Sequence, residues 1–233
     1  MIKEANKKRF FIVLTRPEKA ENIGLIARNM KNTGFENLRL VKLSSLDDRS
    51  YLTAVHAKEV LKNARFYPDI AEATADLDIV FAATSKRRKN FTCLSQDEAM
   101  AKMLSFPLST RIGLLFGNER TGLTSEELRY SNFRYTIPQV SKQPSYNLAS
   151  AVLLTLFHIF RLDFKEQKVE KEKPLSRKQQ EECIQIILNK LKQRKFIQDS
   201  NREHVTEMIY DLFGRLTLTD RDKRLLLALF SKS

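Results

Sequence analysis

Residues 112–123 read Ile-Gly-Leu-Leu-Phe-Gly-Asn-Glu-Arg-Thr-Gly-Leu. The first five residues form a continuous apolar run, which is typical of a strand that is covered on both faces in a parallel α/β sheet. Gly117 and Gly122 then bracket a polar segment. Because ligands of parallel sheets bind at the carboxyl ends of strands, and because Gly117 lets the backbone approach a ligand closely, Glu119 is a candidate to accept hydrogen bonds from a ligand or a loop. A tight turn with surface charges explains the segment equally well.

Similar apolar runs alternate with helix-like segments on both sides of this stretch. The predicted strands are residues 10–14, 38–43, 79–83, 112–116 and 135–137. Helical patterns cover about residues 21–33, 53–64 and 146–162, and further helices are predicted after the N-caps Ser95 and Thr124. The helix over 146–162 is the most apolar, which predicts that it is buried. The alternation of strand and helix predicts an α/β fold with a parallel sheet.

The composition changes after residue 164. Residues 165–174 are almost all charged and are predicted to be a solvated linker between a body, residues 1–164, and a small helical domain, residues 175–233. Three amphipathic helices are predicted there, after Ser176, Asn201 and Thr219. A domain of about 60 residues is marginally stable alone. We therefore expect it to dock on the body or on a dimer partner.

The chain is strongly basic, with 41 Lys and Arg against 28 Asp and Glu, a net charge of +13 and a pI near 9.8. Such an excess favours a polyanionic partner, above all a nucleic acid. The two cysteines, Cys93 and Cys183, and the three separated histidines predict neither a disulfide framework nor a zinc site. With no secretory signal and no apolar run long enough to span a bilayer, we expect a cytoplasmic protein.

Two cofactor fingerprints are absent from the sequence: a GxGxxG turn after the first strand and a P-loop. A dinucleotide-binding Rossmann site and a P-loop NTPase are therefore disfavoured. The sequence also has no obvious Ser/His/Asp or metal-ligand cluster.

Two further polar segments lie next to predicted strands. Residues 22–29 open a helix after the first strand and carry Arg28, whose planar guanidinium suits phosphate binding. From this segment alone, an ordinary surface arginine is the better explanation. Residues 137–148 connect a strand to the most apolar helix, and Ser145 or Asn147 there is a natural N-cap. Helix starts also expose N–H groups that can hold a ligand.

Together the three segments resemble the motifs of the SpoU/TrmH family of RNA 2'-O-methyltransferases, within the SPOUT superfamily. The matching residues are Asn22, Gly24, Ala27, Arg28 and Gly34; Phe116-Gly117-Asn118-Glu119 with Gly122-Leu123; and Ile137-Pro138 followed by Ser145-Tyr146-Asn147-Leu148. The resemblance covers residues 9–162. The charged linker and the tail ending Leu212-Phe213-Gly214-Arg215 resemble the TrmJ branch of the family, which modifies nucleotide 32 of tRNA.

The resemblance implies a trefoil-knotted parallel-sheet SPOUT domain that works as a homodimer and binds S-adenosylmethionine in a bent shape. The residues that it implies for cofactor binding are Thr84, Ser85, Lys86, Gly117, Ile137, Pro144, Ser145, Tyr146 and Leu148. The chain departs from the family at Tyr146, where leucine is common, and the larger side chain could alter the pocket wall. The reaction is an in-line displacement at the methyl group and needs no metal.

The same resemblance identifies Arg28 as the catalytic arginine, with Asn22, Glu119, Ser145 and Asn147 shaping the site around it. The family role proposed for the arginine is activation of the ribose 2'-hydroxyl. Because free arginine keeps its proton far above neutral pH, we favour a role in orienting the ribose and phosphate and in stabilising the developing alkoxide.

The basic run Lys86-Arg87-Arg88-Lys89 is expected to bind RNA phosphates together with Arg28, although a solvated loop is the simpler interpretation. The sequence thus predicts methylation of an RNA ribose, most readily in tRNA. Two alternatives stay open: a ribosomal RNA substrate, and a non-catalytic RNA-binding protein of the same fold.

Overall fold

The computed structural model of the chain describes residues 7–85, 93–140, 145–161 and 172–231. Its centre is a seven-stranded sheet in which every pair of neighbouring strands is parallel. In chain order the strands are β1 (Phe10–Thr15), β2 (Asn37–Val41), β3 (Arg65–Tyr67), β4 (Ile79–Ala83), β5 (Leu94–Ser95), β6 (Ile112–Phe116) and β7 (Phe133–Thr136). In space they run β3-β2-β1-β6-β4-β7-β5. Because all strands point the same way, their carboxyl ends meet at one edge of the sheet.

Helices cover both faces of this sheet. In chain order the α-helices of the described residues, including those of the tail, are α1 (Ala20–Thr33), α2 (Asp48–Ala54), α3 (Lys58–Lys62), α4 (Ile70–Thr74), α5 (Gln96–Ser105), α6 (Ser125–Leu128), α7 (Leu148–Arg161), α8 (Arg177–Gln193), α9 (Arg202–Arg215) and α10 (Asp220–Ser231). Within the described part of the chain, none of these is both long enough and apolar enough to cross a membrane.

The two faces of the sheet carry two separate hydrophobic clusters. Along β1, Ile12 and Leu14 belong to the larger cluster, whereas Val13 belongs to the smaller one, and all three are fully buried. The alternation follows from the period of two of a strand. It confirms the prediction, made from the continuous apolar runs, that the strands are covered on both faces.

Two short strands were not predicted from the sequence. In β3, Arg65 and Phe66 are exposed, and β5 is only two residues long. Both lie at the edges of the sheet, where a strand needs no apolar run. The prediction of one helix over residues 53–64 was also wrong. The helix α2 begins earlier, at Asp48, and ends where Val55 adopts a φ of 53°.

The prediction that the most apolar helix is buried holds for only one of its faces. Leu156 is fully buried, but Leu153 and Leu154 are each 37% exposed and Phe157 is 49% exposed. An apolar sequence shows that a helix face needs a partner. It does not show whether that partner is the chain's own core.

The three tail helices begin after Ser176, Asn201 and Thr219, as predicted, and α8 docks on the body. The backbone N–H groups of Arg177 and Lys178 donate to the carbonyls of Leu77 and Ala75 at 2.7 and 3.2 Å. A side-chain bond adds to them, because the Nδ2 of Asn132 donates to the Oε1 of Gln180 at 3.3 Å.

The predicted domain boundaries and the trefoil knot stay predictions. Residues 141–144, within one of the loops that the resemblance places at the cofactor, and most of the predicted linker lie outside the described residues.

Candidate active site

A half-open cavity of about 150 Å³ lies at the carboxyl ends of β4, β6 and β7. The structure brings together here most of the residues that the sequence predicted for cofactor binding. Those that line the cavity are Thr84, Ser85, Gly117, Ile137, Ser145, Tyr146 and Leu148. Three segments that are far apart in the sequence therefore converge on one space, as the parallel sheet requires.

The loop over residues 117–122 folds back on itself and forms one wall of the cavity. A Cβ on Gly117 would lie 2.4 Å from the carbonyl carbon of Gly122 and from the backbone nitrogen of Leu123. The Oδ1 of Asn118 accepts hydrogen bonds from the backbone N–H groups of Arg120 and Thr121, both at 3.0 Å. Gly117 is thus required for the close approach of two parts of the loop, rather than for the approach of a ligand that the sequence suggested.

Glu119 joins this loop to the start of α1. Its carboxylate accepts hydrogen bonds from the backbone N–H groups of Glu18 and Lys19 at 2.9 and 3.2 Å and from the Nδ2 of Asn22 at 2.9 Å. Burial raises the pKa of the Glu119 carboxyl, but these hydrogen bonds outweigh it and hold the pKa below its ordinary value. Glu119 is therefore ionised at neutral pH and fixes the loop to the start of α1. Because its pKa is lowered, its carboxylate is a weak base.

Asn147 extends the same connection to the third segment. Its Nδ2 donates to the Oδ1 of Asn22 at 3.1 Å, and its Oδ1 accepts from the backbone N–H of Ala149 at 2.8 Å. The capping role that Asn147 was predicted to have is confirmed by the second bond. Because of the first bond, Glu119, Asn22 and Asn147 form one chain of contacts between the 117–122 loop, α1 and the segment before α7.

Ser145 and Tyr146 are both exposed at the mouth of the cavity. The Tyr146 hydroxyl donates to the carbonyl of Pro138 at 3.0 Å. The residue that departs from the family pattern therefore connects the segment before α7 to the segment after β7.

Arg28 is not part of the cavity. It lies on the exposed face of α1 and does not line the cavity. Asn22 and Asn147 do not line it either, but they are linked by hydrogen bonds to Glu119, which does. Unlike Arg28, Asn22 is only 4% exposed. Since α1 is helical over both positions, a separation of six residues turns their side chains about 120° apart around the helix axis.

Gly24 lies between these two residues and faces α2. A Cβ there would lie 1.9 Å from the Oγ1 of Thr53 and 2.2 Å from the carbonyl oxygen of Ser50. This glycine therefore allows α1 and α2 to pack closely, which fixes the position of the helix that carries Arg28.

Five predicted residues cannot be placed. Lys86, Arg87, Arg88 and Lys89, predicted to bind RNA, lie outside the described residues, as does Pro144. Both Lys86 and Pro144 were predicted to bind the cofactor.

The sequence analysis did not identify two residues that hold the loop lining the cavity without lining it themselves. Arg16 and Glu127 form an ion pair with 2.7 Å between the Nε of Arg16 and the Oε1 of Glu127. They are 111 positions apart in the sequence. No local pattern links them, although the capping box of Thr124 and Glu127, which was predicted, is present.

The cavity lining fits a nucleoside cofactor such as S-adenosylmethionine. Ile137 and Leu148 provide apolar surface for a purine ring, and the backbone at Gly117 lies beside them. At Gly122, which also lines the cavity, a Cβ would have no other atom within 4 Å and would point into open space.

Comparison with known proteins agrees with the motif pattern. The sequence profile of the SpoU rRNA Methylase family matches residues 9–157. The chain is 32% identical over 212 residues to the tRNA (cytidine-2'-O-)-methyltransferase TrmJ of Methanocaldococcus jannaschii, which covers 88% of this chain and 89% of that protein.

Two further similarities concern a bacterial sequence and a bacterial structure. The chain is 32% identical over 150 residues to the tRNA (cytidine/uridine-2'-O-)-methyltransferase TrmJ of Escherichia coli strain K12, covering 64% of this chain and 61% of that protein. Its fold matches the crystal structure of TrmJ from Z. mobilis with a TM-score of 0.84 and 28% identity, over 95% of this chain and 97% of that one.

Proposed function

Because this chain belongs to the SpoU rRNA Methylase family, we propose that it methylates the ribose 2'-hydroxyl of a tRNA nucleotide. Membership makes it an RNA 2'-O-methyltransferase, and S-adenosylmethionine is the methyl donor of this family. The observation that carries the choice of tRNA is the similarity to an archaeal tRNA methyltransferase over 88% of the chain, body and tail together. Within tRNA we propose cytidine or uridine 32, the nucleotide implied by the TrmJ branch.

The cofactor would occupy the cavity at the carboxyl ends of β4, β6 and β7. Ile137 and Leu148 would hold the adenine by apolar contact, and the loop over residues 117–122 would close one side. When bound, S-adenosylmethionine supplies an electrophilic methyl group.

Arg28 is the proposed catalytic residue on the acceptor side. Its guanidinium would hold the ribose and the adjacent phosphate, and it would stabilise the negative charge that develops on the 2'-oxygen as the O–C bond forms and the S–C bond breaks. The proton of the hydroxyl leaves to water in this scheme.

The position of Arg28 outside the lining of its own cavity supports a site built from two chains. Leu25, which is 38% exposed, lies three positions before Arg28 on the same surface of α1. The neighbouring helix α7 exposes Leu153, Leu154 and Phe157, and the two helices contact each other through the Nδ2 of Asn29 and the carbonyl of Ala149 at 3.1 Å.

An exposed apolar face next to a catalytic arginine is the surface that a second copy of this chain would cover. In such a homodimer, Arg28 of one protomer would meet the cofactor of the other. The net charge of +13 would draw the RNA to this assembly, and the basic run over residues 86–89 would contribute phosphate contacts.

The test is transfer of labelled methyl groups from S-adenosylmethionine to three separate RNA pools: bulk tRNA, ribosomal RNA, and tRNA transcripts in which residue 32 is a 2'-deoxynucleotide. We expect label in bulk tRNA and its loss in the deoxy-32 transcripts. Label in ribosomal RNA alone would contradict the tRNA proposal. Label retained in the deoxy-32 transcripts would contradict the choice of nucleotide. Absence of label in every pool would favour a non-catalytic RNA-binding role.

A further inference from the structure

We propose that Arg16 and Glu127 act as a clamp that sets the affinity for S-adenosylmethionine by holding the loop over residues 117–122 in its binding conformation. The inference rests on the proposed placement of the cofactor in the cavity. Neither residue is among those that line that cavity. Both are therefore positioning residues and do not contact the reacting atoms.

The guanidinium of Arg16 binds the Glu127 carboxylate in a two-pronged arrangement. Its Nε lies 2.7 Å from Oε1 and its Nη2 lies 2.8 Å from Oε2. Such parallel charge-assisted bonds fix direction as well as distance. The same Nη2 also donates to the carbonyl of Gly122 at 3.2 Å, which is the last residue of the loop.

The carboxylate of Glu127 is anchored from two other directions. It accepts hydrogen bonds from the Oγ1 of Thr15, at the end of β1, at 3.0 Å and from the backbone N–H of Thr124, at the start of α6, at 2.8 Å. Glu127 is only 8% exposed. The clamp is thus built into the sheet on one side and into the helix that follows the loop on the other.

The backbone of Arg16 holds the first part of the loop. Arg16 has a φ of 51°, a left-handed conformation that is uncommon for residues other than glycine. In this conformation its carbonyl accepts a hydrogen bond from the Nδ2 of Asn118 at 2.8 Å. Since Asn118 also organises the backbone of Arg120 and Thr121, Arg16 contacts the loop near its first and last residues.

The loop closes on itself through one bridge, in which the backbone N–H of Gly122 donates to the carbonyl of Asn118 at 2.8 Å. This bridge sets the shape of the loop, and the contacts with Arg16 fix its position on the body. Ordering a free loop when a ligand binds reduces affinity, and a loop that is ordered beforehand avoids this loss. The clamp therefore affects the binding of the cofactor and leaves Arg28, which lies outside the cavity, unaffected. This division predicts a change in KM for the cofactor with little change in kcat.

The experiment compares wild type, Arg16→Ala and Arg16→Lys as full-length proteins. Calorimetric titration with S-adenosylmethionine in the absence of RNA is expected to show affinity about tenfold lower in Arg16→Ala, the factor that corresponds to about one charge-assisted hydrogen bond. Arg16→Lys should recover only part of it, because an ammonium group cannot form the two-pronged contact. The turnover at saturating cofactor should stay within about twofold of wild type in both variants.

Two controls separate the expected effect of the clamp on cofactor affinity from a general loss of protein stability. Lys31→Ala removes an exposed ion pair with Glu59 that is not near the cavity lining, and it should leave cofactor affinity unchanged. In a double-mutant cycle, Glu127→Gln should add little to Arg16→Ala, since both remove the same contact. If Arg16→Ala does not fold, Arg16→Lys and Glu127→Gln, which preserve size, replace it.

A lowered melting temperature with unchanged cofactor affinity would overturn the clamp and leave a purely structural ion pair. A fall in kcat at saturating cofactor, with KM unchanged, would also overturn it. If wild type itself fails to bind S-adenosylmethionine, the proposed function fails and the clamp fails with it. This failure can be told apart from failure of the clamp alone, because it is seen with the wild-type protein before any variant is compared.

Discussion

The cofactor half of the proposed site and its acceptor half differ in how completely one chain builds them. In the cofactor half, the loop over residues 117–122 is held by Arg16, which bonds to Asn118 and Gly122, and by its own Glu119, which bonds to the start of α1. In the acceptor half, Arg28 lies on an exposed face of α1, and the neighbouring helix α7 exposes apolar side chains such as Phe157.

This difference indicates a division of tasks. In the proposed homodimer, a single chain preorganises the cofactor site, whereas the surface that orients the RNA acceptor is completed by the second chain. Binding of the cofactor and turnover should therefore respond to different substitutions, and the following predictions test that separation.

The largest effect is expected from Arg28→Ala. Loss of a group that stabilises charge in the transition state costs about 100-fold or more in turnover, whereas the affinity for S-adenosylmethionine should change by less than about twofold. Single-turnover methyl transfer and calorimetry measure the two quantities. Arg49→Ala, which removes an exposed arginine paired with Glu21 near the same helix, is the matched control. Near-normal turnover in Arg28→Ala would refute the catalytic role.

Phe157→Glu tests the contribution of a second chain. Burial of a charge at an apolar interface is unfavourable by several kcal/mol, so the variant should be monomeric by light scattering and its turnover should fall at least about tenfold. Its affinity for the cofactor should stay near that of wild type. A monomeric variant with full turnover would show that each chain has a complete site.

Gly117→Ala affects the cofactor half instead. The added Cβ would lie 2.4 Å from backbone atoms of the same loop, and such overpacking costs about 1–3 kcal/mol. We expect cofactor affinity to fall about tenfold, measured by calorimetry. Gly24→Ala is the counterpart in the acceptor half, where the clash is with Ser50 and Thr53. It should lower turnover more than cofactor affinity, and the reverse pattern would contradict the division.

The smallest effect is expected from Tyr146→Phe, which removes only the hydrogen bond to the Pro138 carbonyl. A neutral hydrogen bond contributes about 0.5–1.5 kcal/mol, so cofactor affinity should fall about two- to tenfold. Tyr146→Leu, which restores the residue common in the family, should behave similarly if the bond matters. If Tyr146→Phe binds the cofactor like wild type and Tyr146→Leu does not, the aromatic ring, rather than its hydroxyl, forms the pocket wall.

The sequence was sufficient to predict the central strands and the convergence on one cavity of residues that follow β4, β6 and β7, for a physical reason in each case. A run such as residues 112–116 is apolar throughout because both faces of the strand are buried. Carboxyl ends of parallel strands share an edge, so polar residues that follow different strands must meet.

Features that depend on contacts between distant segments could not be predicted. No local sequence pattern indicates that Arg16 pairs with Glu127. The positive φ of Arg16 could not be predicted either, because the residue precedes a proline, which does not favour that conformation. The sequence shows that α7 is apolar. Which of its faces packs on the core and which stays exposed depends on the neighbouring elements, so this could not be read from the sequence of the helix alone.

The way in which the tail joins the body also bears on how the chain unfolds. The Oδ1 of Asn132 accepts from the backbone N–H of Val80 in β4 at 2.9 Å, while its amide group donates to Gln180 of the tail. Detaching α8 would break the bond between Asn132 and Gln180 and the backbone bonds of Arg177 and Lys178 to the body, at a net cost of about 0.5–1.5 kcal/mol for each. The tail and the sheet are therefore coupled energetically, so that heat should melt them in one cooperative transition rather than release the helices first.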